Sequence, residues 1–331
     1  MEFGAWCLEF IKKNMKRIGI LTRDCAGINA CIRAIVRTAD SYGIEVFGIM
    51  RGYEGLMNAE TVVLNHRSVS GIINSGGTIL KTARAKRFLT EEGQFNALKT
   101  IKNCKLDGLI VVGGNGSLTG AHLLCEKYGI PVIGVPATID NDINGVDSAI
   151  GADTALNVAL DAIDKIRDTA ISLERIFVVE VMGRNCGYIA LRVALAGGCE
   201  EVIFPEKDFS LEDICEEITE GNIRGKISWI IITAEGKAKA PALAAKITQM
   251  TEFETREVVL GHIQRGGRPT AFDRILAARY GNRALEALKS GETDKCVTLK
   301  NNDLVLLPLE DAIKLKDMEV ESYYRLIKVL T

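Results

Sequence analysis

The chain has 331 residues, 47% of them hydrophobic, enough for two α/β domains that each bury a sheet of their own. Its 41 Lys and Arg nearly balance 43 Asp and Glu, so the net charge of −2 gives no reason to expect nucleic acid or an anionic membrane surface as a partner. The nine cysteines include no C-x-x-C pair, and the three histidines, His66, His122 and His262, lie too far apart for a zinc motif, which predicts a reduced, cytoplasmic protein.

No apolar run approaches the length of a membrane span, and residues 1–14 lack the uninterrupted apolar stretch and cleavage site of a signal peptide. That segment reads either as an extension upstream of a true start at Met15 or as a native helix with Trp6, Leu8, Phe10 and Ile11 on one face. From there, strand-like runs recur at Arg17–Thr22, Glu45–Met50, Gly108–Val112 and Pro131–Val135. Further runs follow at Arg175–Met182, Glu200–Phe204, Trp229–Thr233 and Glu257–Leu260. Helical segments alternate with them. Leu156, Leu160, Ile163 and Arg167 share one helical face, and Leu118–Tyr128 behaves similarly. Alternation of this kind predicts parallel sheets in an α/β fold, and eight strands suit two domains, divided near Gly151, better than one sheet.

In open parallel sheets, ligands bind beyond the carboxyl ends of the strands, where glycine lets the backbone approach a phosphate and helix N-termini aim amides at it. Four such strand ends carry chemistry here: GGNGS at 113–117, PATIDND at 136–142, MGRNCG at 182–187 and GHIQRGG at 261–267. Each alone has an ordinary structural explanation: a tight turn for the glycines, a helix cap for Asp140 or Asp142, a surface ion pair for Arg184 or Arg265, a satisfied core residue for His262. The ordinary explanation does not account for glycines, paired aspartates and arginines after four strands. Phosphoryl transfer to a sugar phosphate does. The donor needs amides and a metal to spread charge, the acceptor hydroxyl a nearby carboxylate, and the sugar's phosphate guanidinium clamps.

TIDND at 138–142, VVEVMGR at 178–184, AGGCE at 196–200 and LGHIQRGG at 260–267 carry a resemblance to the bacterial 6-phosphofructokinase family, extending from about Lys16 to near the C-terminus. The resemblance implies two Rossmann-like three-layer domains with mainly parallel sheets. A nucleotide-binding domain is expected over residues 15–151 plus 264–314, and a sugar-phosphate-binding domain over 152–263 plus 315–331. It implies fructose 6-phosphate and ATP as substrates, Mg2+ as the metal, and a homotetramer whose subunits share sites.

Position by position, the resemblance makes Asp140 the base toward the sugar's 1-hydroxyl, with Thr138 and Asp142 beside it and Arg184 on the transferring group. Met182, Gly183, Glu235, His262 and Arg265 would hold the sugar phosphate, and Arg175 and Arg256 would reach a neighbouring subunit's sugar. Tyr53, Arg84, Gly114, Gly116, Ser117 and Gly120 would line the nucleotide site. For an allosteric site that binds nucleotide diphosphate or phosphoenolpyruvate in regulated members, the counterparts are Arg33, Arg37, Arg167, Arg224 and Lys226, with Glu200 as metal ligand. Ser228 stands where a histidine is common. Helix-surface charge is the ordinary alternative for these arginines.

Two departures fall on the donor side. Before Asp24, a single residue, Arg23, replaces three that include two glycines, and Asn115 stands where ATP-using members carry a magnesium-binding aspartate. A neutral amide oxygen gives up charge that a hard cation favours. Arg23 would either set a guanidinium on the donor phosphates or fill the site. Pyrophosphate-using relatives tend to carry aspartate and lysine at the positions of Gly116 and Ala137, both small here. An ATP-dependent kinase is therefore the leading expectation. A pyrophosphate-dependent enzyme and a weakly catalytic or non-catalytic sugar-phosphate-binding regulatory paralogue stay open.

Overall fold

RIGILT, residues Arg17–Thr22, forms β1, buried at every position after the first. It lies inside a sheet, and central parallel strands have no wet face to spare for polar residues. The structure is a computed structural model that describes residues 15–331; both readings of residues 1–14 lie outside the described residues.

Two compact units divide the chain: residues up to Asp153 together with Arg265–Lys316, and Thr154–Gln264 together with Asp317–Thr331. The first unit holds a seven-stranded sheet in the order β11-β10-β5-β4-β1-β2-β3. Its strands are β1, β2 (Glu45–Ile49), β3 (Thr61–Leu64), β4 (Gly108–Gly113), β5 (Val132–Pro136), β10 (Lys295–Lys300) and β11 (Asp303–Pro308). The inner pairings are parallel, while β3 and β11 run antiparallel at the two edges. Its main helices are α1 (Ile28–Ser41), α3 (Glu91–Asn103), α4 (Asn115–Tyr128) and α9 (Ala271–Lys289). Ala97 and Ile101 of α3 and Leu118, Ala121 and Leu124 of α4 pack with Leu109 and Val111 of β4 in one core. α1 packs on α9, where a Cβ on Gly281 would stand 2.9 Å from the Cys31 carbonyl oxygen. α3 starts cleanly because the Thr90 hydroxyl accepts the Gly93 amide at 3.1 Å and Glu91 and Glu92 occupy its first turn. The short helices α2 (Tyr53–Met57) and α10 (Leu309–Ala312) complete this unit.

The second unit holds an all-parallel sheet in the order β7-β8-β6-β9. Its strands are β6 (Ile176–Val181), β7 (Glu201–Ile203), β8 (Trp229–Ala234) and β9 (Thr255–Val259). IFVVEV and WIIITA are buried throughout, as the two inner strands must be. Its helices are α5 (Ala152–Leu173), α6 (Tyr188–Gly197), α7 (Leu211–Ile223), α8 (Ala240–Thr251) and α11 (Glu321–Leu330). Ile214 and Ile218 of α7 and Leu243 and Ile247 of α8 cover Ile176, Val178 and Ile231. Buried Glu180, on β6, accepts the Ala240 amide at 2.9 Å and caps α8.

All eight predicted strands are present, with ends displaced by a residue or two: Glu257–Leu260, for example, is Thr255–Val259. β3, β10 and β11 were not predicted. β10 and β11 form a hairpin about Asn301 and Asn302, whose φ values of 51° and 71° are the left-handed pair that such a tight turn requires.

Candidate active site

β4 ends at Gly113, and α4 begins two residues later with Gly114 as its N-cap, so GGNGS is a strand-to-helix turn at the first unit's sheet. Close approach makes glycine necessary at two places here. A Cβ on Gly113 would lie 2.7 Å from Ser117 Oγ and 2.9 Å from Arg23 Cγ, and one on Gly120 would lie 2.7 Å from the Tyr53 ring. Gly116 differs: nothing comes within 4 Å of its Cβ position. Tyr53 is engaged structurally, its hydroxyl donating to the Ser117 carbonyl at 2.7 Å and its ring stacking on Phe88. Burial pushes that hydroxyl's pKa well up. Arg84 is exposed.

The next strand, β5, leads into Thr138–Asp142. Asp140 is 2% exposed, and its amide donates to Thr138 Oγ1 at 3.2 Å. Between the two aspartates, Asn141 takes a left-handed conformation, φ 47°, costly for a non-glycine residue but most tolerable for Asn or Asp. Its side chain holds the turn closed, donating to the Asp147 carbonyl at 3.0 Å and accepting the Ala149 amide at 2.8 Å. Asn141 was not singled out by the sequence reading; an asparagine flanked by two aspartates was the available signal. Asn115 reaches the same turn, its Nδ2 donating to Asp142 Oδ2 at 2.9 Å and to the Asp142 carbonyl at 3.3 Å. Both Asp142 atoms are acceptors, which fixes the amide's orientation and leaves Asn115 Oδ1 buried with no hydrogen bond. The structure therefore brings Asn115, Thr138, Asp140 and Asp142 together.

Arg23 follows β1, its amide donating to the Val112 carbonyl at 3.0 Å. Its side chain crosses over Gly113, and Nη1 donates to Thr82 Oγ1 at 3.2 Å and the Ala83 carbonyl at 2.9 Å. The segment leading to Arg84 is thus tied to the shortened loop. Asn29 and Thr22 fasten its upstream part, through Ser75, Gly76, Thr78 and Ile79.

In the second unit, Met182 and Gly183 follow β6 and are buried, while Arg184 is exposed with a left-handed φ of 51°. Glu235, after β8, accepts the Arg184 amide at 3.2 Å. A Cβ on Gly236 would lie 1.6 Å from the Arg184 carbonyl oxygen, so the turns after β6 and β8 touch backbone to backbone. His262 is exposed, which rejects its reading as a core histidine. Arg265 closes the helical turn Gly261–Arg265 and is half-buried; by the chain's division it opens the returning segment of the first unit. Arg175 and Arg256 share one partner that the sequence reading passed over: Glu254 pairs with Arg175 Nε at 2.8 Å and also with Arg256. Desolvation pushes the Glu254 carboxyl up, but hydrogen bonds from Arg256 and Arg175 outweigh it and hold the pKa below its ordinary value.

The family profile described as Phosphofructokinase matches residues 17–288. The chain belongs to the phosphofructokinase family. Over 320 residues, 96% of this chain and 100% of the relative, it is 48% identical to the ATP-dependent 6-phosphofructokinase of Thermoanaerobacter sp. (strain X514). It is 47% identical to that of Thermotoga neapolitana over 319 residues, again 96% of this chain and 100% of the relative. Among solved structures, the T-state of Pichia pastoris phosphofructokinase matches with a TM-score of 0.85 at 34% identity, over 91% of this chain and 38% of that one. A pyrophosphate-dependent phosphofructokinase from Marinobacter aquaeolei, 22% identical, shares the fold with a TM-score of 0.82 over 96% of this chain and 91% of its own.

The residues expected at an effector site fall in both units. Arg33 and Arg37 lie on α1, and Arg37 Nε is buried with no hydrogen-bond partner. In the second unit, a pocket of about 270 Å³ is lined by Glu200, Arg224, Lys226, Glu217, Trp229 and Lys328. Lys226 stands 3.3 Å from Glu200, whose other oxygen accepts the Ile230 amide at 2.7 Å. Arg167 serves the scaffold, donating to the carbonyls of Gly197 and Gly198 (2.8 Å to the latter) at the C-terminal end of α6.

Proposed function

We propose that this chain transfers the terminal phosphoryl group of ATP to the 1-hydroxyl of fructose 6-phosphate, giving fructose 1,6-bisphosphate. The observation that carries the reading is the Thr138–Asp142 turn: a buried aspartate, a left-handed asparagine and a second aspartate that meets Asn115 at the N-terminus of α4. Support comes from relatives of matching length whose names state the ATP-dependent reaction. Open space at Gly116 leaves room for a nucleotide.

Asp140 accepts the proton of the attacking hydroxyl as the new bond forms, and Thr138 orients its backbone. A carboxylate is a weak base, so its contribution is placement and late proton acceptance. Arg184 stabilises charge on the transferring group, and Glu235, Met182, Gly183, His262 and Arg265 hold the sugar phosphate. Asn115 Oδ1, an acceptor with no hydrogen bond, and the Asp142 carboxylate fit a magnesium ion. A magnesium ion of this kind is held by one or two side chains together with the donor's phosphates. When bound, such an ion neutralises charge on the phosphate oxygens.

Arg175 and Arg256 pair with Glu254 at and beside the edge strand β9; as the family resemblance implies, they would reach a second subunit's sugar in a homotetramer. The eight described cysteines are all free, in keeping with the cytoplasm. No described helix is long and apolar enough to cross a membrane. A coupled assay for fructose 1,6-bisphosphate, run in parallel with ATP and pyrophosphate, tests the reaction. Turnover with pyrophosphate alone overturns the donor assignment, and sugar-phosphate binding without transfer from either donor marks a regulatory paralogue.

A further inference from the structure

The Thr138–Asp142 turn is held from a distance. Residues 311–316 run alongside it: Asn144 donates its amide to the Ala312 carbonyl at 3.2 Å and its side-chain Nδ2 to the Asp311 carbonyl at 3.1 Å, and Ile143 pairs antiparallel with Leu315. The last residue of that segment is Lys316, beyond which the chain enters the second unit. Its ammonium donates to the Asn141 carbonyl at 2.9 Å and to the Val146 carbonyl at 2.7 Å. Asn141 and Val146 are 1% and 2% exposed, so water is a poor substitute for that donor.

We propose that Lys316 is a positioning residue for phosphoryl transfer, fixing the peptide between Asn141 and Asp142 and through it the directions of Asp140 and Asp142. The Asn141 carbonyl belongs to the peptide that joins the left-handed residue to Asp142, so its orientation sets where the second carboxylate points. A left-handed asparagine persists only where its surroundings over-determine it. The Asn141 side chain supplies two restraints, and Lys316 supplies a charge-assisted third on the backbone carbonyl of the same residue. Misplacement of reacting groups by about 1 Å costs roughly 10²-fold in rate. Loss of this restraint therefore falls on turnover, whereas the residues assigned to the sugar phosphate contain none of these atoms. The inference rests on the reading of Asp140 as the catalytic base.

The test is a series, Lys316→Arg, Lys316→Gln and Lys316→Met, in the full-length protein, with kcat, the KM for fructose 6-phosphate and Tm measured for each. Asn144→Ala is the control that loosens the same segment without touching the Asn141 carbonyl. The expected kcat order is Lys, Arg, Gln, Met, with Met reduced at least tenfold, the sugar-phosphate KM within about twofold throughout, and Asn144→Ala lowering Tm while keeping kcat within twofold. Should the Met variant fail to fold, Arg and Gln decide, and equal kcat in those two overturns the proposal. So does a kcat in Asn144→Ala that falls as far as in Lys316→Gln. Asp140→Asn separates the layers: full turnover in that variant refutes the base assignment itself, whereas a dead Asp140→Asn beside an unaffected Lys316 series refutes only the role of Lys316.

Discussion

Replacing Arg23 with alanine is the sharpest probe of the donor side, because its side chain ties the loop after β1 to the segment that carries Arg84. In the structure its Nη1 makes two hydrogen bonds, to Thr82 and Ala83, and its stem covers Gly113. A hydrogen bond from a charged donor contributes about 1.5–3 kcal/mol, and the half-exposed position argues for the low end. A loss of about 1.4 kcal/mol is tenfold in an equilibrium constant. Arg23→Ala is therefore expected to raise the KM for ATP about tenfold by loosening the segment that carries Arg84, while the fructose 6-phosphate KM stays within twofold. Initial rates with ATP varied at saturating sugar phosphate, and calorimetry of ATP binding, read both numbers. Unchanged ATP parameters remove Arg23 from the donor site. Tighter ATP binding in Arg23→Ala, or in a variant with Ser-Gly-Gly in its place, shows instead that the side chain obstructs the phosphates and refutes the supporting role argued here.

Asn115→Asp exchanges a hydrogen bond to Asp142 for two facing carboxylates. The variant should melt several degrees lower in a chelator, recover with Mg2+, and need less Mg2+ for half-maximal activity; a Tm indifferent to Mg2+ would mean that no cation joins the two side chains. Arg265→Ala should weaken fructose 6-phosphate binding at least tenfold by calorimetry, through loss of a charge-assisted clamp, and unchanged affinity removes Arg265 from the sugar site. Burial pushes the thiols of Cys199 and Cys296 up to about 12 and those of Cys25 and Cys31 well up also, whereas Cys104 and Cys125 are partly exposed. In a Cys7→Ser variant at pH 8, a disulfide-exchange reagent should therefore release at most two equivalents rapidly, with the rest following only on unfolding. A faster third equivalent contradicts the burial.

The parallel core was legible because burial on both faces forces unbroken apolar runs, so RIGILT, IFVVEV and WIIITA announce themselves without any knowledge of their neighbours. The missed strands follow the converse. β3 and β11 are edges with partly wet faces, and β10 begins and ends in lysine; only the Asn301-Asn302 turn marked that hairpin. At the site, the glycine- and charge-rich stretches singled out from the sequence, 113–117, 138–142 and 182–187, come at or just after the ends of β4, β5 and β6. Glu254 and Lys316 carry no such signature, and Asn141 only that of its flanking aspartates, because their work is defined by a partner. The bond from Lys316 to Asn141 spans 175 residues, and Glu254 acquires its role only once Arg175 is folded alongside it.

The two donor-side departures have a common physical form. In each, a hydrogen bond within the chain engages a group expected to face the donor: Arg23 binds Thr82 and Ala83, and Asn115 binds Asp142. Internal bonds of this kind preorganise the turn, lowering the entropy lost when a substrate orders it. They also compete with the ligand for the same groups. Asn115 illustrates the balance, since its amide stabilises Asp142 without a cation while its oxygen offers a cation less attraction than a carboxylate would. The expected consequence falls on one side of the reaction: a higher demand for Mg2+ and ATP, with sugar-phosphate binding unaffected. A variant pair decides it, because Arg23→Ala and Asn115→Asp should change the ATP and Mg2+ dependences in opposite directions while fructose 6-phosphate affinity holds constant in both.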